Sequence, residues 1–186
     1  MKTFISKKYF EKLKNYFHQK ILQCAFLCIV IFCLWGCGDS YNSGIQVIQV
    51  YDGDTVKLAN GEKVRLIGID CPEEWESEKL YWDTKRLGQD IEVIKAMGKE
   101  AGAFTQNLVL NKKVRLEFDV EKRDKYNRLL AYLYLPDGKF VNETIIKEGY
   151  AYPLMIPPNL KYTDYFMQLY REARAKGRGL WKKDVI

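Results

Sequence analysis

The sequence predicts an α+β domain, mainly β, organised as a small five-stranded barrel with about three helices. Three observations predict it. Two tight-turn signals, Asp52-Gly53-Asp54 and Asn60-Gly61, separate three short apolar runs. Two more strand-like runs follow at residues 114–118 and 129–135. The stretches between and after them carry apolar residues at helical spacing.

The elements follow in order. Val47, Ile48 and Val50 precede the first turn, and Val56 and Leu58 follow it. Asn60-Gly61 makes the second turn before Val64-Arg65-Leu66-Ile67-Gly68-Ile69. Asp-Gly and Asn-Gly tolerate positive φ and so close hairpins, which predicts a three-strand meander over residues 45–69. Residues 73–100 carry eight acids and five bases and show no clean apolar period at first. Residues 73–97 therefore predict a long polar loop, partly helical near 90–97, and a loop of that length is usually functional or mobile. Ala101, Phe104, Thr105, Leu108 and Val109 share one helical stripe within 98–110. Val114-Arg115-Leu116-Glu117-Phe118 alternates as a strand, and 129–135 is another, closed by Pro136-Asp137-Gly138. Val141, Ile145 and Ile146 mark a short helix ended by Gly149. Phe166, Leu169, Tyr170 and Ala173 mark a last helix ending near Gly177. Five short strands with helices after the third and fifth is the arrangement of an OB-fold. Tyr132, Tyr134, Phe104, Phe118, Phe166 and Trp181 are assigned to the core.

The first 37 residues read differently. Lys2, Lys7, Lys8, Lys12, Lys14 and Lys20 stand against one acid, Glu11, and account for five of the six net positive charges. The rest of the chain is nearly balanced, so net charge says little about a substrate. Residues 21–35 are apolar except for Gln23, and 15 residues are short for a membrane span, which needs about 20. A basic stretch before a short apolar run reads as a secretory signal. It ends in Leu34-Trp35-Gly36-Cys37, which resembles the lipobox of bacterial lipoproteins and implies lipidation at Cys37. Residues 1–37 are thus expected to be a signal peptide, 38–44 a polar tether and 45–183 the functional domain. The protein is expected to be exported and membrane-anchored, on the cell surface or in a periplasm. A secreted or signal-anchored chain is the alternative.

Cys24, Cys28 and Cys33 lie inside the apolar run, leaving Cys37 and Cys71. With Cys37 acylated, Cys71 has no intramolecular partner, and no disulfide framework is expected. The one histidine, His18, is in the leader. Histidine bases, histidine nucleophiles and histidine- or thiolate-held zinc are thereby excluded from the domain. Hydrolytic chemistry would need carboxylates, Arg or Lys, and a hard metal held by oxygen. Asp54 follows the first turn and Asp70 ends the third strand, so the two carboxylates can converge where adjacent strand ends meet. Glu73 follows Pro72, whose fixed φ stiffens the turn that aims it. Arg65 and Arg128 are guanidiniums suited to a phosphate, because Arg pairs bidentately with its oxygens. Plain turn chemistry for Asp-Gly-Asp, and an ion pair of Arg65 with Glu62 or Asp70, are the structural alternatives.

Several motifs together resemble the staphylococcal nuclease family. They are Asp52-Gly53-Asp54-Thr55-Val56-Lys57-Leu58, Arg65-Leu66-Ile67-Gly68-Ile69-Asp70-Cys71-Pro72-Glu73, Gly98-Lys99-Glu100-Ala101 with Phe104-Thr105, and Asp124-Lys125-Tyr126-Asn127-Arg128-Leu129-Leu130-Ala131-Tyr132. Val141-Asn142-Glu143 and Gly179-Leu180-Trp181 also match, so the resemblance runs from about residue 45 to 183 in family order. It implies an OB-fold and Ca2+-dependent hydrolysis of DNA and RNA with little sequence preference. No protein partner is implied, and a monomer is expected. It assigns Asp54 and Asp70 as metal carboxylates and the Cys71 backbone carbonyl as a further metal ligand. Glu73 matches the general base, Arg65 and Arg128 the phosphate-binding arginines, and Lys125 and Tyr126 a phosphate-contacting pair. The segment between Glu73 and Gly98 is longer than in compact secreted members, and its acidic excess is expected to restrict access or shape substrate choice. Met155 stands at a position where the family has a nucleotide-stacking tyrosine, for which Tyr150 or Tyr152 is a candidate substitute.

Local charge points to a nucleic-acid surface at Lys112, Lys113, Arg115, Lys122, Arg123, Lys125 and Arg128. Arg171, Arg174, Lys176, Arg178, Lys182 and Lys183 read as a solvated face. Two alternatives to an enzyme are a catalytically silent OB-fold lipoprotein that binds nucleic acid and a scaffold lipoprotein. Degenerate family members lose the carboxylate and arginine set, whereas here every one of those positions is filled.

Overall fold

Both Gly-containing turns close hairpins in the computed structural model, which describes residues 44–182. The leader, Cys37, the tether as far as Ser43, and Lys183 lie outside the described residues. Strands β1 (Ile45–Val50), β2 (Thr55–Leu58) and β3 (Lys63–Leu66) pair antiparallel in sequence order. The Asp52 carboxylate accepts from the Asp54 N–H at 2.9 Å, an Asx turn that sets the first corner. Gly61, at φ 90°, takes the second.

The barrel closes through two later strands. β5 (Lys113–Glu117) pairs antiparallel with the start of β1 and with β6 (Leu129–Tyr134). β6 pairs in parallel with β3, giving the order β1-β2-β3-β6-β5. Inward positions Val47, Val56, Leu58, Val64, Val114, Leu116 and Leu133 have no exposed surface. Burying a side chain of this size stabilises by about 1.5–3 kcal/mol. β4 (Ile69–Asp70) leaves the barrel and pairs with β7 (Tyr152–Pro153). Of the assigned aromatics, Tyr132 and Phe166 are buried, Tyr134, Phe104 and Phe118 pack against the core, and Trp181 lies outside it, half-buried against Tyr152 and Tyr170.

Among the described residues there are four α-helices rather than three. The expected helical stretch near 90–97 is present as the first turns of α2 (Ile91–Val109), which is continuous with the 98–110 stripe, but the loop expected before it is overturned, because α1 (Glu78–Leu87) lies inside it. The Ser77 hydroxyl caps α1 by accepting the Leu80 N–H, and Gly88 ends it in the left-handed region at φ 64°. The apolar period was hidden because a carboxylate occupies the buried face of α1, where Leu80 and Asp83 are the two buried residues. Leu80 packs with Ile94, Met97 and Leu180 in a small cluster of its own. α2 buries Ile94, Met97, Gly98, Ala101, Thr105 and Val109, one stripe at helical spacing.

α3 (Val141–Lys147) and α4 (Thr163–Ala175) complete the domain. Fully buried Asn142 on α3 accepts the Leu133 N–H at 3.0 Å and donates to the Ile67 carbonyl at 2.9 Å. This one amide ties α3 to β6 and to the chain entering β4, the strand that carries Asp70.

Candidate active site

The first corner and the end of β4 bring two carboxylates together. Asp54 and Asp70 are 4% and 5% exposed, which is unusual for charged groups and requires partners. Asp54 accepts the Cys71 N–H at 2.7 Å and the Thr55 hydroxyl at 3.2 Å, so the two strand ends are bonded through the carboxylate itself. Arg65, on β3 between them, reaches Asp54 at 2.9 Å and Asp70 at 3.1 Å. Its Nη1 also donates to the carbonyls of Ile69 at 2.9 Å and Leu66 at 3.3 Å. Glu62 is paired with Arg123 at 2.8 Å. Burial pushes the Asp54 carboxyl up to about 6, against the pull of Arg65 and with a further push from Asp52. Burial, then the Asp54 charge, raises the Cys71 thiol, which stays protonated; its backbone carbonyl is the group available to a cation.

A cleft of about 880 Å3 opens over this corner. All of the sequence-derived domain residues line it: Asp54, Arg65, Asp70, Cys71 and Glu73 on one side, and Lys125, Tyr126 and Arg128 on the other. The second group sits on a turn built by Asp124. That carboxylate accepts the N–H groups of Tyr126 at 2.9 Å and Arg128 at 3.0 Å, and pairs with Arg128 Nε at 2.7 Å. Asn127 completes the turn at φ 63°. Asp124 engages Nε and leaves the terminal nitrogens of Arg128 outside the pair. The Tyr126 ring is 68% exposed, with Lys125 Nζ 5.0 Å and Arg128 Cζ 5.5 Å from its centroid.

α2 places Glu73 from beneath. A Cβ at Gly98 would lie 2.6 Å from the Glu73 carbonyl carbon and the Glu74 nitrogen, so only glycine lets the helix pass this close. Thr105 donates to the Gly53 carbonyl at 2.7 Å and fixes the same helix to the first corner. Among the described residues the Glu73 carboxylate has no ion-pair partner, which leaves it able to take a proton.

The metal reading can be tested on these donors. Among the described residues no three His, Cys, Asp or Glu side chains converge on one point. The hard-oxygen set is two carboxylates and a backbone carbonyl, with water needed to complete it. It fits a hard cation: Asp54 and Asp70 are nearly buried, and the Cys71 carbonyl already accepts from an ammonium, Lys79 Nζ, at 2.6 Å.

Comparison with known proteins decides the family. Residues 63–183 match the model described as staphylococcal nuclease homologue. The chain is 38% identical over 149 residues to the thermonuclease of Staphylococcus intermedius, an overlap of 78% of each chain. It is 34% identical to the thermonuclease of Staphylococcus hyicus, covering 78% of this chain and 80% of that one. It is 39% identical to endonuclease YncB of Bacillus subtilis, covering 75% of this chain and 62% of that one.

This chain belongs to the staphylococcal nuclease family.

Against the family resemblance, three expectations are corrected. Neither Tyr150 nor Tyr152 replaces the stacking tyrosine. Tyr150 is stacked on Phe104 at 4.2 Å, Tyr152 is 7% exposed, and the cleft wall there is Leu154, Ile156 and Pro157. The basic segment is split, because Lys112, Lys113 and Arg115 leave along β5 while Arg123, Lys125 and Arg128 line the cleft. The insertion does not line the cleft with its acids, since Glu74, Glu76, Glu78, Asp83, Asp90 and Glu92 are all outside the cleft lining. It contributes the cation Lys79 to the lining instead. Lys79 lies 3.5 Å from Asp70 and 3.1 Å from Asp83, and Arg86 lies 3.3 Å from Asp70 and 2.6 Å from Asp83.

Lys79, Asp83 and Arg86 are site residues that sequence reasoning missed in this member of the staphylococcal nuclease family. Their signal is present: they stand at i, i+4 and i+7, one helical face, between a Ser cap and a Gly stop. Burial alone would lower the Lys79 ammonium, but Asp70, Asp83 and Asp54 hold it above its ordinary value and keep it charged.

Proposed function

We propose that this chain is a Ca2+-dependent nuclease that hydrolyses the phosphodiester backbone of DNA and RNA with little dependence on sequence. The observation that carries the reading is one cleft holding two buried carboxylates, a cation-binding carbonyl, an unpaired carboxylate and two arginines. Asp54, Asp70 and the Cys71 carbonyl would hold Ca2+, which supplies charge stabilisation to a bound phosphodiester. Glu73 takes the proton of the attacking water at its carboxylate oxygen. The terminal nitrogens of Arg128 bind phosphate oxygens, and Arg65 supplies positive charge beside Asp54 and Asp70. Lys125 and Tyr126 hold the strand at the rim. Charge and one exposed ring contact a backbone and any base face alike, whereas sequence readout needs donors aimed at base edges.

The silent-module alternative is disfavoured, because the carboxylates and arginines are all retained and all line the cleft. The test is cleavage of single- and double-stranded DNA and of RNA by the full-length chain, with Ca2+, with EDTA, and with Glu73→Gln. Cleavage that requires Ca2+ and fails in the variant is expected. A folded wild type that cleaves nothing across a range of pH and Ca2+ would favour the binding module.

The leader extends the proposal to location. Six lysines, a 15-residue apolar run and Leu34-Trp35-Gly36-Cys37 support export and a lipid anchor at Cys37. Cys37→Ala is expected to abolish labelling by a lipid precursor, and unchanged labelling would remove the anchor from the proposal.

A further inference from the structure

Helix α1 brings two cations and a carboxylate to the corner that holds Asp54 and Asp70. Asp54, Asp70 and Asp83 are buried, and three cations face them: Arg65, Lys79 and Arg86. The cluster is closed, because Lys79 and Arg86 each bridge Asp70 to Asp83. Arg65, Lys79 and Arg86 offset Asp54, Asp70 and Asp83, while half-buried Asp52 adds a further negative charge beside Asp54 and Arg65. Lys79 Nζ sits 2.6 Å from the Cys71 carbonyl and 3.5 Å from Asp70, two of the oxygens that would hold a divalent cation, so the ammonium and that cation would compete for them.

The three cations are held unequally. Arg65 is fixed by two carboxylates and two backbone carbonyls, with its side chain 12% exposed. Arg86 is held by Asp83 and lies between the rings of Trp82 and Tyr152, 4.6 Å from each centroid. Lys79 is 34% exposed, on a flexible stem, and it alone donates to the Cys71 carbonyl. An ammonium is also the more strongly hydrated group, so its release into water costs less than that of a buried guanidinium.

We infer that Lys79 is a tethered cation that competes with the divalent metal for Asp70 and the Cys71 carbonyl, and that the inserted helix thereby sets the metal concentration at which the site fills. This rests on the metal reading of the site given above. Asp83 is the acceptor that keeps Lys79 when it leaves: the carboxylate is fully buried and pairs with Lys79 at i, i+4. Metal binding then exchanges one cation for another at Asp70 while the ion pair that holds α1 in place persists.

The test is Ca2+ binding to the full-length chain by isothermal titration calorimetry, for wild type, Lys79→Met and Lys79→Arg, with melting curves in EDTA and in Ca2+. Methionine keeps the stem and removes the charge. Lys79→Met is expected to bind Ca2+ about tenfold more tightly or better, on the scale of one lost charge-assisted hydrogen bond. It should also gain more in melting temperature on adding Ca2+ than wild type does. Lys79→Arg, which keeps the charge, is expected to stay within a few-fold of wild type. A folded Lys79→Met with unchanged or weaker Ca2+ affinity overturns the competition and leaves the metal site standing. Ca2+ binding by neither wild type nor Lys79→Met would overturn the metal site itself, and this inference with it. If Lys79→Met does not fold, Lys79→Gln takes its place with the same expected and overturning results.

Discussion

The barrel and helix α1 reach the same carboxylates by different means. On the barrel side, Asp54, Arg65 and Asp70 sit at strand ends, and Arg65 is fixed by the Leu66 and Ile69 carbonyls of its own segment. On the helical side, α1 delivers Lys79, Asp83 and Arg86 by helical spacing, and ion pairs hold them to the corner. The barrel side is braced by ladder hydrogen bonds and a closed core. The helical side has a small apolar cluster of its own and a ring of charges. Under the proposed function the chemistry rests on the barrel side, and the side with fewer backbone ties carries Lys79, the cation proposed to give way.

The largest effect should come from the chemistry itself. Glu73→Gln is expected to lower cleavage by about 10²–10⁴-fold, the usual scale for a general base. Its melting temperature should be unchanged, because Glu73 has no ion-pair partner among the described residues. Near-wild-type turnover would move the base elsewhere and break the assignment of chemistry to the barrel side.

Bracing of the barrel side is tested by Asn142→Ala. It leaves the Leu133 N–H and the Ile67 carbonyl buried and unpaired, at a cost of roughly 2–4 kcal/mol in denaturant unfolding. A cost below about 1 kcal/mol would mean that β4 does not depend on this amide. Gly98→Ala forces α2 away from the Glu73 backbone. It is expected to cost about 1–3 kcal/mol and to lower kcat more than it raises KM.

The helical side predicts a local response. Ser77→Ala removes the cap of α1 and is expected to cost about 1 kcal/mol there. Amide exchange should rise within residues 78–87 and stay unchanged in the barrel. Exchange rising equally in both would join the two sides into one cooperative unit.

The smallest effect concerns the turn across the cleft. Burial pushes the Asp124 carboxyl up, but the hydrogen bonds and charge of Arg128 outweigh it and hold the group below its ordinary value. A lowered carboxyl pKa stabilises the fold above the ordinary value near 3.8, and that stability is lost as pH falls through the folded value. Asp124→Asn should therefore unfold more easily than wild type at neutral pH, with the gap closing in acid. A gap constant with pH would mean that the charge of Asp124 does not contribute.

The legible parts of this protein share a physical cause. Strand ends, Gly turns and the apolar stripe of α2 are local patterns, and their register follows from the period of the side chains. By itself the sequence determined the meander over 45–69 and the later strands and helices. It also determined the oxygen-only donor set, because a domain without histidine leaves carboxylates and carbonyls to hold a cation. Family motifs then supplied Lys125, Tyr126 and the Cys71 carbonyl.

Only the tertiary structure decided what faces what. Helix α1 was hidden because its buried face carries Asp83, which reads as a surface residue until Lys79 and Arg86 are seen around it. Tyr150 and Tyr152 were drawn to Phe104 and Arg86, away from the cleft. The basic run from 112 to 128 divided because β5 carries its first half along the barrel and away from the cleft. In each case the deciding energy is a contact between segments distant in the chain. Local periodicity records which residues favour burial; it does not record which charges and rings they will be buried against.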